Sequence, residues 1–309
     1  MVENRSVDDG HLAVLTADQR AAFARDGFVV LPGVLDRGLV GRVADRFDPL
    51  FSGDFETGVY PDEWYWRPGM SLPDITRHMG NAWKCDRTLA RLVTSPALAS
   101  LVASLLGWEG VRLGQDTLWS KPPMGKAVAM HQDGTFLSFL DPAEMATAWI
   151  ALDDTVADGG SLSYARGSHR WPLWERPGGF HAAEGWQTEM RRAAADAGVA
   201  DAEVVTLEVP AGTVSIHHGR TWHGSAPSQR ADRWRRSLAV HLIPSHTRFR
   251  DSGAGYIYGR YKRPDETEMD EAFFPILWTA DGHRSAWLDP WLEAGASAVW
   301  SGPSNPEAA

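Results

Sequence analysis

Seven short apolar runs, each closed by a turn signal, constrain the fold of this chain more than any other feature. They lie at 111–120, 127–132, 146–152, 161–165, 203–209, 213–217 and 236–243. Pro122-Pro123, Asp158-Gly159-Gly160 and Pro210-Ala211-Gly212 stand between them, and Gly and Pro clusters of this kind end strands. Many short strands so spaced predict a β-barrel or sandwich. The part before them reads as helical. Thr16 and Gln19 have capping-box spacing for a helix reaching about Arg25, Gly27 stops it, and Phe28-Val29-Val30-Leu31 follows as a strand. Asp36 opens a second helix with Leu39, Val43 and Phe47 on one face. Ser95, Pro96 and Gly107 bracket a third as N-cap, first position and stop.

Between the second and third helices, residues 52–87 hold Tyr60, Trp64, Tyr65, Trp66 and Trp83 among several Gly and Pro. They read as an irregular loop whose aromatics either shape a pocket or cap the core. A polar insertion at 171–198, with a short helix over 187–197, interrupts the strands, and the tail from Arg248 reads as loops and short helices packed over the barrel. The expected organisation is one domain over 1–309: a helical part at 12–107, a β core at 108–245 and a C-terminal cover at 246–309.

Bulk composition excludes several classes. Hydrophobic residues make up 43% and charged residues 23%, as in an ordinary globular chain with a core. The one cysteine, Cys85, leaves no internal disulfide framework and fits a reducing, cytoplasmic setting. A formal net charge of −10 speaks against nucleic acid as a partner, because phosphates demand an excess of Lys and Arg. It suits neutral or cationic small molecules. The first residues do not form a signal peptide, and the apolar stretches read as too short to span a bilayer. A monomer or homodimer is expected.

Within the β pattern, His131-Gln132-Asp133 sits at the end of one run. Residues i and i+2 of a strand share a face, so His131 and Asp133 converge while Gln132 points away. Three further histidines compete to complete the set: His223, in Thr221-Trp222-His223-Gly224-Ser225, and the pair His217 and His218. His223 is preferred because Gly224-Ser225 places it at a strand end. Two histidines and a carboxylate with open positions are the ligand set of non-haem Fe(II). A run of arginines, Arg230 to Arg236, precedes the last core strand, so at least one guanidinium enters the barrel there. A guanidinium grips a carboxylate with two parallel hydrogen bonds, which lysine cannot. His241, in that last strand, reads as a core histidine or a pocket wall.

The segments MHQDG (130–134), TAWIALDDTVADGGSLSYARGSHRW (147–171) and HGSAPSQRADRWRRSLAVHLIP (223–244) together resemble the phytanoyl-CoA dioxygenase family of Fe(II)/2-oxoglutarate oxygenases. Asp158-Gly159-Gly160 stands where the family has Asn-Gly, and Ala165 where it has Pro. The resemblance implies a mainly β fold with flanking helices, a double-stranded β-helix or jelly-roll. It implies His131, Asp133 and His223 as ligands to Fe(II), and 2-oxoglutarate and O₂ as cosubstrates. It further implies a 2-oxoglutarate grip by Arg235, with Arg236 as an alternative because the loop from His223 is one residue longer than usual. Trp149 and Ser225 match positions that contact the cosubstrate in relatives. Halogenating relatives carry Ala or Gly in place of the carboxylate, so Asp133 favours hydroxylation.

The expected activity is oxidation of an unactivated C–H bond in a small metabolite, natural-product, sugar- or amino-acid-like, with release of succinate and CO₂. Desaturation, epimerisation or cyclisation are the alternatives at the same site. Gln115 is expected to touch cosubstrate or substrate. Trp83, Phe136, Gln132 and Trp171 are expected to touch substrate. Two rivals remain at this stage: a zinc hydrolase on the same ligands and a non-catalytic ligand-binding barrel. No G-x-S-x-G elbow or P-loop is present, and Gly253-Ala254-Gly255 meets Tyr258 where a dinucleotide fingerprint needs its third glycine.

Overall fold

A computed structural model describes residues 15–175, 185–251, 255 and 257–293. The helices are α1 (Ala17–Asp26), α2 (Arg37–Ala44), α3 (Phe47–Phe51), α4 (Arg87–Val93), α5 (Pro96–Leu106), α6 (Thr188–Asp196) and α7 (Leu288–Glu293). The strands of the first half are β1 (Phe28–Leu31), β2 (Glu63–Trp64), β3 (Arg77–Gly80), β4 (Gly110–Lys121), β5 (Val128–His131), β6 (Leu140–Asp141) and β7 (Ala146–Ala151). Those of the second half are β8 (Leu162–Ala165), β9 (Val204–Thr206), β10 (Val214–His218), β11 (His223–Ser225), β12 (Arg235–Pro244), β13 (Arg248–Phe249) and β14 (Ile276–Thr279).

Two antiparallel sheets face each other. The larger runs β1-β10-β7-β12-β4-β3-β2 with β14 added beside β4, and the smaller runs β5-β11-β8-β9. Strand parity gives the large sheet its two faces. Leu113, Leu118, Ile150, Val214, Ile216, Leu238, Val240 and Leu242 point to one side and join Val43, Phe47, Leu89, Leu98 and Val102 of the helices in the main core. Burying each such side chain contributes about 1.5–3 kcal/mol. The opposite face carries Gln115, Thr117, Trp119, Thr147, Trp149, Arg235, Ala239 and His241, and these line a cavity between the sheets. The jelly-roll therefore separates a dry helix-covered face from a functional one.

Local signals explain the helical part. Thr16 accepts from the Gln19 amide while the Gln19 side chain accepts from Thr16, and Gly27 ends α1 in the left-handed region at φ 83°. Asp36 caps α2 and Ser95 caps α5, with Pro96 at its first position. Such caps are worth about 1 kcal/mol each. The 52–87 segment departs from expectation. It adds β2 and β3 to the large sheet, and α4 begins at its end, capped by Asp86. Trp64 and Trp66 pack against the core instead of standing free. Residues 87–106 do have the length and mean hydropathy, 1.6, of a spanning helix. They form two helices, α4 and α5, broken at the Ser95 cap and 72% buried in the core.

Cys85 lies fully buried beneath this layer, and burial followed by the nearby Asp116 pushes its thiol far above the ordinary range. Native protein should therefore leave a thiol-reactive chromogenic disulfide unconsumed over an hour, and release one thiol on denaturation. Immediate stoichiometric reaction in the folded state would contradict this burial.

Candidate metal and cosubstrate site

His131 closes β5 and His223 opens β11, and the two are direct partners across the antiparallel pair. Their ring centroids are 4.3 Å apart. Between them and their neighbours the backbone is tight: a Cβ on Gly224 would stand 2.8 Å from Met130 N and Val128 O. Asp133 is not on the strand. It begins a 3₁₀ turn, Asp133–Phe136, which bends the carboxylate back over the two imidazoles. Asp133 Oδ1 lies 3.5 Å from Nε2 of His131 and 3.5 Å from Nε2 of His223. One ligand atom from each residue falls within 4.8 Å of the others, the spacing of donors around one ion.

The tautomers follow from the backbone. Nδ1 of His131 is 2.9 Å from the Ala129 carbonyl, and Nδ1 of His223 is 2.9 Å from the Thr221 carbonyl. A carbonyl only accepts, so each Nδ1 carries the proton and each Nε2 turns a lone pair to the centre. Burial, first among the causes, holds His223 well below the ordinary imidazole range, so it is neutral and ready to ligate. For Asp133 burial pushes upward, but the surrounding imidazoles, His223 foremost, outweigh it and hold the carboxyl well below its usual range. A neutral imidazole pair and an ionised carboxylate are the protonation states that a divalent ion requires.

Further into the barrel, Arg235 points into the cavity and Arg236 does not. Arg236 pairs with Asp153 at 2.7 Å and donates to the Ala44 carbonyl on the helix side of the sheet. Arg235 donates through one terminal nitrogen to Ser237 Oγ at 2.8 Å, and its Nε is buried without a partner. Burial pulls its pKa down to about 10. Its register partner on β4 is Lys121, also buried, held well below the usual lysine range by burial and then by Arg235. Lys121 Nζ donates to Ser225 Oγ at 2.9 Å and to the Ala226 carbonyl at 2.6 Å. Gly160, at φ 69°, leaves room for that ammonium: a Cβ there would meet Lys121 Cδ at 2.7 Å. A buried guanidinium with an orphaned N–H at the cavity wall makes a seat for an anion, and Lys121 stands behind Ser225 beside it.

The cavity holds about 150 Å³. Trp149, Ser225, Gln115 and Phe136 line it together with the three metal-site residues and Arg235. Gln115 pairs with His241 in the β4–β12 register, six residues along β12 from Arg235, so it stands at the far end from the anion seat. Three expected substrate contacts lie elsewhere. Trp83 is buried in a 3₁₀ turn against Trp287 and Trp291, with centroids at 6.1 and 5.7 Å. The Gln132 carboxamide is consumed by the Arg220 carbonyl at 2.7 Å and the Trp174 amide at 2.8 Å. Trp171 packs with Met130 and Trp222 behind the metal strands. Residues 176–184 of the insertion lie outside the described residues. The sequence reading missed His78, Trp119, Thr147 and Tyr258, all of which line the cavity, and Lys121 behind Ser225, while His217, weighed there as a third ligand, faces the cavity as well. Parity alone would have found several: once Arg235 faces inward, so do 237, 239 and 241, and the β4 partners follow.

The family model for phytanoyl-CoA dioxygenase (PhyH) matches residues 23–237. The chain belongs to the phytanoyl-CoA dioxygenase family. This family member is 33% identical over 153 residues to a probable alpha-ketoglutarate-dependent hypophosphite dioxygenase of Stutzerimonas stutzeri, an alignment spanning 48% of this chain and half of that relative. It is 25% identical over 319 residues to phytanoyl-CoA dioxygenase domain-containing protein 1 of Mus musculus, covering 87% of this chain and all of the mouse protein. In structure it is similar to the alpha-ketoglutarate-dependent epimerase SnoN from nogalamycin biosynthesis, with TM-score 0.64, 23% identity and coverage of 84% and 97% of the two chains. EctD from S. alaskensis gives TM-score 0.59 at 20% identity, covering 83% and 86%. These two solved structures confirm the double-stranded β-helix. The triad and the family together make this dioxygenase an Fe(II)- and 2-oxoglutarate-dependent enzyme.

Proposed function

We propose that this dioxygenase hydroxylates an unactivated C–H bond of a small uncharged metabolite that carries hydroxyl or N–H groups. One observation supports the substrate class above others: among the described residues lining the cavity, Asp133 is the sole carboxylate, and it faces the metal. The remaining polar wall, Gln115, Thr117, His241 and His78, offers hydrogen-bonding groups and no carboxylate. An ammonium seated there would be buried without a counter-charge, a penalty of several kcal/mol. The cationic half of the expectation drawn from net charge therefore finds no support in the cavity.

Iron(II) held by His131, Asp133 and His223 supplies, with O₂ and 2-oxoglutarate, the oxidising power for C–H cleavage. The balance is R–H + O₂ + 2-oxoglutarate → R–OH + succinate + CO₂. The chain's own residues orient the reactants. Arg235 offers its orphaned Nε–H and a terminal N–H to the distal carboxylate of the cosubstrate, a charge-assisted grip. Lys121 holds Ser225 from behind. Because Ser225 Oγ accepts from Lys121, its own proton is free to donate to that carboxylate. Trp149, beside Ala239 in the β7–β12 register, lines the cavity on the stretch of sheet between Arg235 and His241. At the other end Gln115 and Phe136 face the substrate, the first polar and the second apolar. A zinc hydrolase on the same three ligands would have no use for a buried guanidinium facing the cavity.

The test is succinate release under air from Fe(II)-loaded protein, with metabolites added as shape-matched pairs, one neutral and hydroxylated, the other an amine. Neutral members should raise turnover at least about 10-fold above the substrate-free rate, and their ammonium counterparts should not, consistent with a desolvation cost of several kcal/mol. Stimulation by the amines alone would overturn the substrate class.

A further inference from the structure

The metal carboxylate is gripped on the side away from the metal. Asp133 Oδ2 lies 2.6 Å from Thr147 Oγ1 and 3.3 Å from His217 Nε2. Thr147 comes from β7 and His217 from β10, neighbours in the large sheet, so a carboxylate carried by a turn of the opposite layer is held by two rigid strands.

Proton counting gives these contacts a direction. A hydroxyl has one proton. Thr147 gives it to the ionised Asp133, so its 2.9 Å contact with His241 Nδ1 must be a bond donated by the imidazole. His241 then turns a lone pair on Nε2 toward Thr117 Oγ1 at 3.5 Å, and Thr117 in turn accepts from Gln115 Nε2 at 3.3 Å. The second arm has the same sense. His217 must hold its proton on Nε2 to donate to Asp133, so Nδ1 accepts from the Tyr164 hydroxyl at 3.1 Å, and Ser215 Oγ, 2.9 Å away, then donates to the Tyr164 oxygen. Every donor on both arms points at Oδ2. One arm ends at the cavity wall on Gln115, the other in the core at Tyr164.

We propose that Thr147 and His217 are positioning residues that confine Asp133 to ligation through Oδ1 alone, with His241 and Tyr164 fixing their proton directions. This rests on the three-residue metal site described above. A carboxylate free to turn can present both oxygens to an ion and so occupy a second position beside it. The two arms occupy Oδ2, so that position stays available to the cosubstrate. The same bonds fix the rotation of the carboxylate over the imidazoles, and outer contacts of this kind hold 10- to 100-fold of metal affinity in order-of-magnitude terms.

The experiment uses the full chain stripped of metal, with Co(II) as the probe, followed by anaerobic Fe(II) with 2-oxoglutarate. Thr147→Val and His217→Phe should each weaken Co(II) binding by about 10-fold, and the double variant by about 100-fold. Thr147→Ser should restore wild-type binding. Both disruptive variants should also shift or weaken the visible band of the Fe(II)–2-oxoglutarate complex, a signature that a purely structural role leaves unmoved once the protein is folded. If valine is not accommodated, Thr147→Ala carries the same expectation. Wild-type Co(II) affinity and an unshifted band in both disruptive variants would overturn the proposal. A wild-type chain that binds neither Co(II) nor Fe(II) with 2-oxoglutarate would instead remove the metal site on which it rests.

Discussion

Asp133→Ala should weaken Fe(II) binding by more than about 100-fold, beyond what any outer contact costs, and should abolish 2-oxoglutarate turnover. The reason is electrostatic as much as geometric. Asp133 is the one anion among His131, His217, His223 and His241, and all four imidazoles help hold its carboxyl in the charged form. Without it the site is a cluster of imidazoles with no negative charge to offset the desolvation of a divalent ion. His223→Ala should act alike, since the backbone-fixed tautomer of His223 aims one lone pair at the centre and no neighbour replaces it. His217 does not substitute: its Nε2 proton is committed to Asp133 Oδ2. Equilibrium titration with Fe(II) under argon checks both variants. Retained micromolar affinity in either would place the ion elsewhere.

The second large effect separates two adjacent arginines. Arg235→Ala should raise the dissociation constant for 2-oxoglutarate by a factor between about 30 and several thousand, the 2–5 kcal/mol expected when one partner of a buried, hydrogen-bonded charge pair is removed. Arg235→Lys should recover little of this, because an ammonium cannot make the paired bonds of a guanidinium. Arg236→Ala should leave cosubstrate affinity within about 2-fold, because its side chain is engaged with Asp153 and the Ala44 carbonyl across the sheet. Isothermal titration of the metal-loaded variants distinguishes them. The reverse pattern would mean that the start of β12 is shifted by one residue, which would turn every inward side chain of that strand outward.

Much of this was legible in the chain because the deciding signals are local. Capping residues Thr16, Asp36, Ser95 and Gly107 each act within a turn of the helix they bound, and the turn residues between β4 and β12 interrupt the strands where they stand. His131, Asp133 and His223 could be read as a set because their side-chain chemistry is restrictive and their spacing matches a known family. What escaped depends on contacts between segments far apart. Trp83 is aromatic in an apparently irregular stretch, and nothing local shows that Trp287 and Trp291 will cover it. Lys121 follows a long apolar strand and looks like its solvent end, yet its pairing with Arg235 and the gap above Gly160 bury it. Gln132 reads from the sequence both as pointing away and as a substrate contact, and its carboxamide is engaged by the Arg220 and Trp174 backbones. The role of His217 appears only when β10 is laid beside β7 and the turn after β5 is folded over both.

The most direct measurement is an anaerobic titration of the Fe(II)-loaded protein with 2-oxoglutarate, followed in the visible region. A saturable charge-transfer band should grow with one equivalent bound per chain, vanish in Asp133→Ala, and require far more 2-oxoglutarate in Arg235→Ala than in Arg236→Ala. Absence of any band from folded, iron-loaded wild-type protein would contradict the assignment of His131, Asp133, His223 and Arg235 to a shared iron and cosubstrate site.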